Sequence, residues 1–463
     1  MRAIGIDIGT TTISIIMVDG ESGRLLGSKT IAHQSFLESE SVFHKIQDPQ
    51  RLWNLTKEGV VGLVEEFGVP DSIGMTGQMH GMMYVDAEGN AVSPLYTWQD
   101  GSGNEELEEG LTYAETLKKT TGSAASGYGL TTHFYLQKNG KIPAEAVKMV
   151  TISDYVAMKL CGLKTPVIAR DMAASWGCFD LEKGEFCMNK LEEAGVDTSY
   201  LPKVLEGHGM IGKTTGELPE GTPVAVSLGD NQASILGSVQ DLEHTVLVNI
   251  GTGSQVSFGI DRYVDIQGSI ELRPCTEQLY IMAGSGLCGG RAYAMLEQFY
   301  RKAAGRDAGN ALYGVMEQQA REFLDAYGKE NVWNVKTTFA GTRSNPGERG
   351  SITGIGIENF HPGAMTVGVI QGILGELYGM YEEMCQMTGK QAIRLVGSGN
   401  GIRQNALMRE LAEDMFGMRM QIPVCKEEAA YGAALMYLAS AGVVESMEEM
   451  QAKIMYVEEY KQD

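Results

Sequence analysis

The chain has 463 residues, enough for two or three domains, with 43% hydrophobic and 21% charged residues, the make-up of a folded protein. Its 37 Lys and Arg stand against 59 Asp and Glu, a net charge of −22 with no basic run, which argues against nucleic-acid binding. The seven cysteines form no CxxC pair and no run of 18 apolar residues occurs, which disfavours a disulfide framework, a zinc site and a membrane span.

The N-terminus, MRAIGIDIGT, does not read as a signal peptide because Asp7 interrupts its apolar run, so a reducing, cytoplasmic location is the default expectation. Residues 3–8 and 13–18 are rich in Ile and Val and flank Gly9, Thr10, Thr11 and Thr12, which predicts two strands joined by a tight turn. Leu52, Leu55, Val60, Leu63, Val64 and Phe67 recur at near-helical spacing after Asp48-Pro49, which predicts a helix over 49–67. Strand and helix patterns keep alternating, so the fold class is α/β.

Residues 207–214, GHGMIGKT, satisfy the P-loop pattern G-x-x-x-x-G-K-[ST]. A P-loop must open a helix after its Lys, and Gly216, Gly221 and Pro223 forbid one after Lys213, so a hairpin or turn is expected. The strand-like PVAVSL leads into Leu228-Gly229-Asp230, where Asp230 heads a predicted helix. Residues 246–256, VLVNIGTGSQV, echo residues 4–13, IGIDIGTTTI, and a polar stretch at 238–245 precedes the echo. Two similar domains follow, 1–240 and 241–463. A core helix is predicted over 363–387, a strand over 392–396, and helices over 402–416 and 427–441.

Phosphoryl transfer needs a phosphate cradle, a metal and a carboxylate that takes the hydroxyl proton. The turns at Gly9–Thr12 and Gly251–Ser254 are candidate cradles, or ordinary hairpin turns. An acidic chain must hold an anion with backbone N–H groups and a metal ion, and Asp7 beside the first turn is a candidate Mg²⁺ ligand or a turn cap. Asp230 is a candidate base or a helix N-cap. Gln78, Met79, His80, Trp98 and Asp100 offer what a polyhydroxylated sugar needs, although a lone histidine is often a core residue. Gly397-Ser398-Gly399-Asn400-Gly401 has GxGxG spacing, which speaks for a nucleotide contact and not for NAD.

DIGTTT (7–12), GQMHG (77–81), TWQDG (97–101), DMAASWG (171–177), LGDNQAS (228–234), NIGTGS (249–254), GSGNGIRQN (397–405) and EEAAYGAAL (427–435), in this order, resemble the FGGY carbohydrate kinase family of the actin-like ATPase superfamily. The resemblance implies two actin/ribonuclease-H-like domains, each a mixed β-sheet flanked by helices, with a cleft between them. It implies ATP-dependent phosphorylation of a sugar hydroxyl, with a sugar-binding N-terminal domain and a nucleotide-binding C-terminal domain. Carried onto this sequence, Asp230 would be the catalytic base, and Asp7 with Asp230 would organise Mg²⁺. Gly9, Thr10, Thr11, Thr12, Gly251, Thr252 and Gly253 would hold the ATP phosphates. Gly397, Gly399, Asn400 and Asn405 would border the adenosine, and Gln78, Met79, His80, Trp98 and Asp100 would line the sugar pocket. TWQDG, DMAASWG and GDNQAS look closer to the sedoheptulokinase branch, and MHG to the xylulokinase branch. Ser102 stands where many relatives carry Arg, which bears on the sugar. A non-catalytic sugar or nucleotide sensor of the same fold is disfavoured because Asp7 and Asp230 are both present. A homodimer is left open, and neither nucleic acid nor membrane is an expected partner.

Overall fold

The computed structural model describes residues 1–216, 218, 221–266, 268–276, 279–306, 310–342, 345, 347–443 and 446–457. Strands β1 (Arg2–Ile8) and β2 (Thr12–Asp19) pair antiparallel from Arg2 opposite Asp19 to Ile8 opposite Ile13. Ile4, Ile6, Ile8, Ile13, Ile15 and Met17 are all fully buried in one apolar cluster. Burying each such side chain is worth about 1.5–3 kcal/mol, which is why this unbroken apolar run forms central strands.

Next come β3 (Leu25–Ala32), helix α1 (Pro49–Phe67) and β4 (Ser72–Gly77). The Asp48 carboxylate caps α1, accepting from the N–H groups of Gln50 and Arg51 at 2.9 and 3.2 Å. Farther on lie α2 (Arg170–Ser175), β5 (Met210–Lys213), β6 (Pro223–Gly229) and α3 (Asp230–Ser238). The P-loop-like string is therefore no strand-to-helix loop: Met210–Lys213 is a strand that pairs antiparallel with β6, as the glycines and Pro223 require. The sheet order is β5-β6-β4-β1-β2-β3, with β4 parallel to both β1 and β6.

The chain divides into two units, the first comprising Met1–Gln240, Arg273–Leu279 and Glu427–Met455. The first unit thus takes in two stretches, Arg273–Leu279 and Glu427–Met455, from the range 241–463. The reason for the second is α8 (Glu428–Ser440), which packs against β1, β4 and α3. A Cβ on Gly432 would lie 1.9 Å from the Ala233 carbonyl oxygen, and one on Gly5 of β1 would lie 1.8 Å from that of Ala430. The small residues of EEAAYGAAL are thus a packing surface for backbone-to-backbone approach.

The second unit holds Asp241–Leu272 and Tyr280–Lys426. Its sheet is built from β7 (Thr245–Ile250), β8 (Ser254–Ile260), β9 (Ile270–Pro274), β10 (Tyr280–Gly286), β11 (Arg394–Ser398) and β12 (Met420–Gln421). The order is β9-β10-β8-β7-β11-β12. The pairing repeats that of the first sheet: β7 runs antiparallel to β8 and parallel to β11, as β1 does to β2 and β4. Helix α4 (Gly290–Ala303) follows β10, and α5 (Pro362–Thr388) buries Val367, Ile370, Ile373, Leu374 and Leu377 in the core of the sheet. The helix expected over 402–416 is two helices, α6 (Gly399–Gln404) and α7 (Ala406–Phe416). Asn405 breaks them apart: its backbone is extended and its side chain caps α7, accepting from the Met408 N–H at 2.9 Å. The strand expected over 392–396 lies at 394–398. All seven cysteines are free thiols, and no described helix is long and apolar enough to cross a membrane.

Candidate active site

In the first unit, β1, β4 and β6 are parallel, so their C-terminal ends share one edge of the sheet. Asp7 and the Gly9–Thr12 turn leave β1 there, Gln78–His80 leaves β4, and Asp230 follows β6. Loops at this edge of a parallel sheet are where ligands are bound.

The turn is held from one side. The Gly9 carbonyl oxygen accepts from His33 Nε2 at 3.3 Å, that of Thr10 from Gln47 Nε2 at 2.7 Å, and that of Thr11 from the His33 N–H at 3.2 Å. His33 Nδ1 accepts from the Ser35 N–H at 3.2 Å, so Nε2 carries the proton that Gly9 receives. Burial holds the His33 pKa below its usual value and keeps the ring neutral. In a planar trans peptide N–H and C=O point oppositely. With three carbonyls fixed on the protein side, the N–H groups of Thr10, Thr11 and Thr12 face the other way, as an anion cradle requires. Sequence reading missed His33 and Gln47, which lie in a polar stretch with no motif around them.

Asp7 and Asp230 form the electrostatic centre. Desolvation, followed by the charges of Asp230 and Glu427, pushes the Asp7 pKa up to about 7, and Asp7 Oδ1 is buried without a hydrogen-bond partner. Asp230 is the first residue of α3, with Gly229 at the N-cap position, so it is not the N-cap. Desolvation raises its pKa to about 6, against the nearby Arg273 guanidinium, which lowers it. Its Oδ1 accepts from the Asn231 N–H at 2.7 Å and from Asn231 Nδ2 at 3.1 Å. Arg273 is 7% exposed, and the Pro274 carbonyl beside it accepts from Gln232 Nε2 at 3.0 Å, so this short segment grips the start of α3. No sequence signal marked Arg273. Among the described residues no group of three or more His, Cys, Asp or Glu forms a metal cage. Two carboxylates that leave the remaining positions to phosphate and water suit Mg²⁺.

The five residues expected around the sugar divide into three kinds. Gln78 is 2% exposed, donates from Nε2 to Gln47 Oε1 at 3.0 Å, and keeps a buried Oε1 without a partner. His80 has a left-handed backbone, φ 70°, unusual for a residue with a Cβ and typical of functional positions. Its ring stacks on Tyr128 with centroids 4.7 Å apart, and Nδ1 donates to the Ser175 carbonyl at 2.6 Å. Trp98 is 46% exposed, and its Nε1 donates to Thr10 Oγ1 at 2.9 Å, tying the TWQDG loop to the turn. Met79 is buried and packs on Gly229 and Asn231 as a buttress. Asp100 is also buried: its Oδ1 accepts from the Ser102 N–H and Oγ, and its Oδ2 from the Lys45 N–H and His44 Nδ1. Asp100 therefore anchors its loop, and Ser102 fills a buried position as a hydrogen-bond donor to it.

In the second unit, β7 and β11 are parallel, so the Gly251–Gly253 turn and Gly399-Asn400 leave one sheet edge. The carbonyls of Gly251 and Thr252 accept from the N–H groups of Gly290 and Arg291 at the start of α4, at 2.9 and 3.0 Å. By the same peptide geometry, the N–H groups of Thr252 and Gly253 point away from α4. Gly397 lies within β11, and Gly399 has φ 81°, with a Cβ excluded by the Ile250 backbone. Asn405, expected near adenosine, uses its side chain as the α7 cap.

Residues 2–237 match the model of the N-terminal domain, and residues 246–441 that of the C-terminal domain, of the FGGY family of carbohydrate kinases. The chain is 29% identical to the Mus musculus sedoheptulokinase, covering 94% of this chain and 97% of that one. It is 24% identical to the Staphylococcus xylosus xylulose kinase, covering 93% and 89%. The crystal structure of a Lactobacillus acidophilus gluconate kinase superimposes with a TM-score of 0.83 at 18% identity, covering 99% of this chain and 92% of that one.

Proposed function

The chain belongs to the FGGY family of carbohydrate kinases, and we propose that its acceptor is a ketose of the sedoheptulose type, phosphorylated by ATP at a hydroxyl that Asp230 deprotonates. The ketose rests on the 29% identity to a sedoheptulokinase over nearly the full length of both chains. The base rests chiefly on one observation: Asp230 sits at the ligand-binding edge of the sheet with its carboxyl raised to about 6, beside Asp7.

The sugar hydroxyl attacks the γ-phosphorus, the new O–P bond forms as the bond to ADP breaks, and the hydroxyl proton passes to Asp230. Asp230 Oδ1 already accepts two N–H bonds from Asn231, which leaves Oδ2 for the proton. A carboxylate with a pKa of about 6 is ionised at neutral pH and still basic enough to accept a proton late in the reaction. In this reading the N–H groups of Thr10, Thr11 and Thr12 are one phosphate cradle, and those of Thr252 and Gly253 are another. Gly397, Gly399 and Asn400 border the adenosine in this reading, while Gln78, His80 and Trp98 face the sugar. Asp7 and Asp230 would hold Mg²⁺, and the unpartnered Asp7 Oδ1 is the observation that fits such a cation. When bound, that ion neutralises phosphate charge. A pentulose acceptor is the second reading, favoured by the Met79-His80-Gly81 motif and the 24% identity to a xylulose kinase. The cytoplasm, where thiols stay reduced, suits seven free cysteines.

Asp230→Asn should keep ATP binding and cut turnover by about 10²-fold or more, the scale of general-base loss. Undiminished turnover in that variant would remove the base assignment.

A further inference from the structure

The string that mimics a P-loop contributes one residue whose position calls for a reason. His208 sits in the connection between the 203–204 segment and β5, with its side chain 6% exposed. Its Nε2 lies 2.8 Å from Asp171 Oδ1, and the Asp171 side chain is fully buried. The other oxygen, Oδ2, accepts from the Gly229 N–H at 2.6 Å. Gly229 immediately precedes Asp230. The carboxylate is thus shared between an imidazole and the peptide that turns the chain from β6 into the helix carrying the base.

The rest of this neighbourhood leaves the Gly229 peptide little freedom. The Gly209 carbonyl accepts from the Val226 N–H at 3.1 Å, and the Ile168 carbonyl accepts from the Leu205 N–H at 2.9 Å, so the His208 connection is fastened on both sides. A Cβ on Gly229 would lie 2.4 Å from Gln232 Oε1 and 2.7 Å from Met79 Sδ, so this peptide is already closely packed. A buried carboxylate that loses one of its partners either rotates or takes up a proton, and either change weakens the bond to Gly229. Displacements of about 1 Å at a reacting group cost about 10²-fold in rate.

We propose that His208 is a positioning residue of the kinase: through Asp171 it fixes the Gly229 peptide and so the orientation of the Asp230 carboxylate. The inference rests on Asp230 being the base. Asp171 belongs to the DMAASWG segment, whose Ser175 also holds His80 through the 3.1 Å bond from the His80 N–H to Ser175 Oγ. One short helix therefore supports both the base and the sugar-facing histidine.

The test compares His208→Leu, His208→Gln and His208→Asn with the wild type and with Asp230→Asn, on the full chain with Mg²⁺, ATP and the best sugar acceptor. Glutamine can place an N–H donor where Nε2 stands, whereas asparagine is one bond short and leucine offers none. His208→Leu and His208→Asn should lower kcat at least tenfold with both KM values within about twofold, and His208→Gln should recover kcat to within about threefold. Thermal midpoints measured alongside separate this from loss of fold. If the leucine variant does not fold, the glutamine and asparagine pair decides. Unchanged kcat in the asparagine variant, a loss carried by KM, or a glutamine variant as impaired as asparagine overturns the proposal. If Asp230→Asn loses turnover while the His208 variants keep it, only this inference fails. If Asp230→Asn keeps turnover, the base reading fails with it.

Discussion

Desolvation is the largest influence on both Asp7 and Asp230, and it ties their protonation to stability. In the metal-free protein the two pKa values stand at about 7 and about 6, against an ordinary 3.8. The folded state therefore binds more protons than the unfolded chain across this interval, and stability falls as pH rises from about 4 to about 7. A tenfold difference in proton affinity between the folded and unfolded chains is worth about 1.4 kcal/mol. Asp7→Asn should flatten this decline and raise the thermal midpoint of the metal-free protein at pH 7.5 by several degrees. A midpoint that rises with pH in the wild type, or an asparagine variant that melts lower at pH 7.5, contradicts the assignment. Asp7 and Asp230 are legible in the sequence because one lies near the end of an apolar strand pattern and the other directly after one, each beside a recognisable turn. The roles of His33, Gln47, Asp171 and His208 are not, because they depend on partners 24 to 58 residues away in the chain, which no local pattern encodes. In the sequence Ser102 marks a missing guanidinium, and the structure gives it a positive role as donor to Asp100.

Among the elements, α8 is the one whose chain position misleads. It lies near the C-terminus and packs in the first unit, where Gly432 meets the Ala233 carbonyl of α3. Gly432→Ala must push the two helices apart, since its Cβ would fall 1.9 Å from a backbone atom. Overpacking of this kind costs about 1–3 kcal/mol or more. The expected result is a thermal midpoint several degrees lower, with faster proteolysis near residue 427, and an unchanged midpoint would contradict the crossing. The apolar period predicts α8 within one residue at each end, because a buried helix needs its pattern throughout. The same pattern runs across Asn405 and hides the break there, since a capping side chain leaves no mark on hydrophobic periodicity. The P-loop-like string shows the converse: a short motif matches, and the glycines and proline after it decide the structure.

Across the whole molecule, the short echo between residues 4–13 and 246–256 is the visible part of a larger repetition. Five strands of each sheet follow the same pairing, and Asp7 opposite Thr76 has its counterpart in Asn249 opposite Ser398. One copy keeps a carboxylate at that position and the other an amide, whose Nδ2 donates to Ser398 Oγ at 2.7 Å. The sequence shows that two turns are alike, but strand order is set by long-range pairing and emerges only from the structure. The most direct test of the account is ADP formation from Mg²⁺ and ATP with sedoheptulose, xylulose, ribulose, fructose and glycerol offered one at a time. We predict strong sugar-dependent ADP formation with the highest kcat/KM for sedoheptulose. ADP formation that no sugar raises above the sugar-free rate would contradict it.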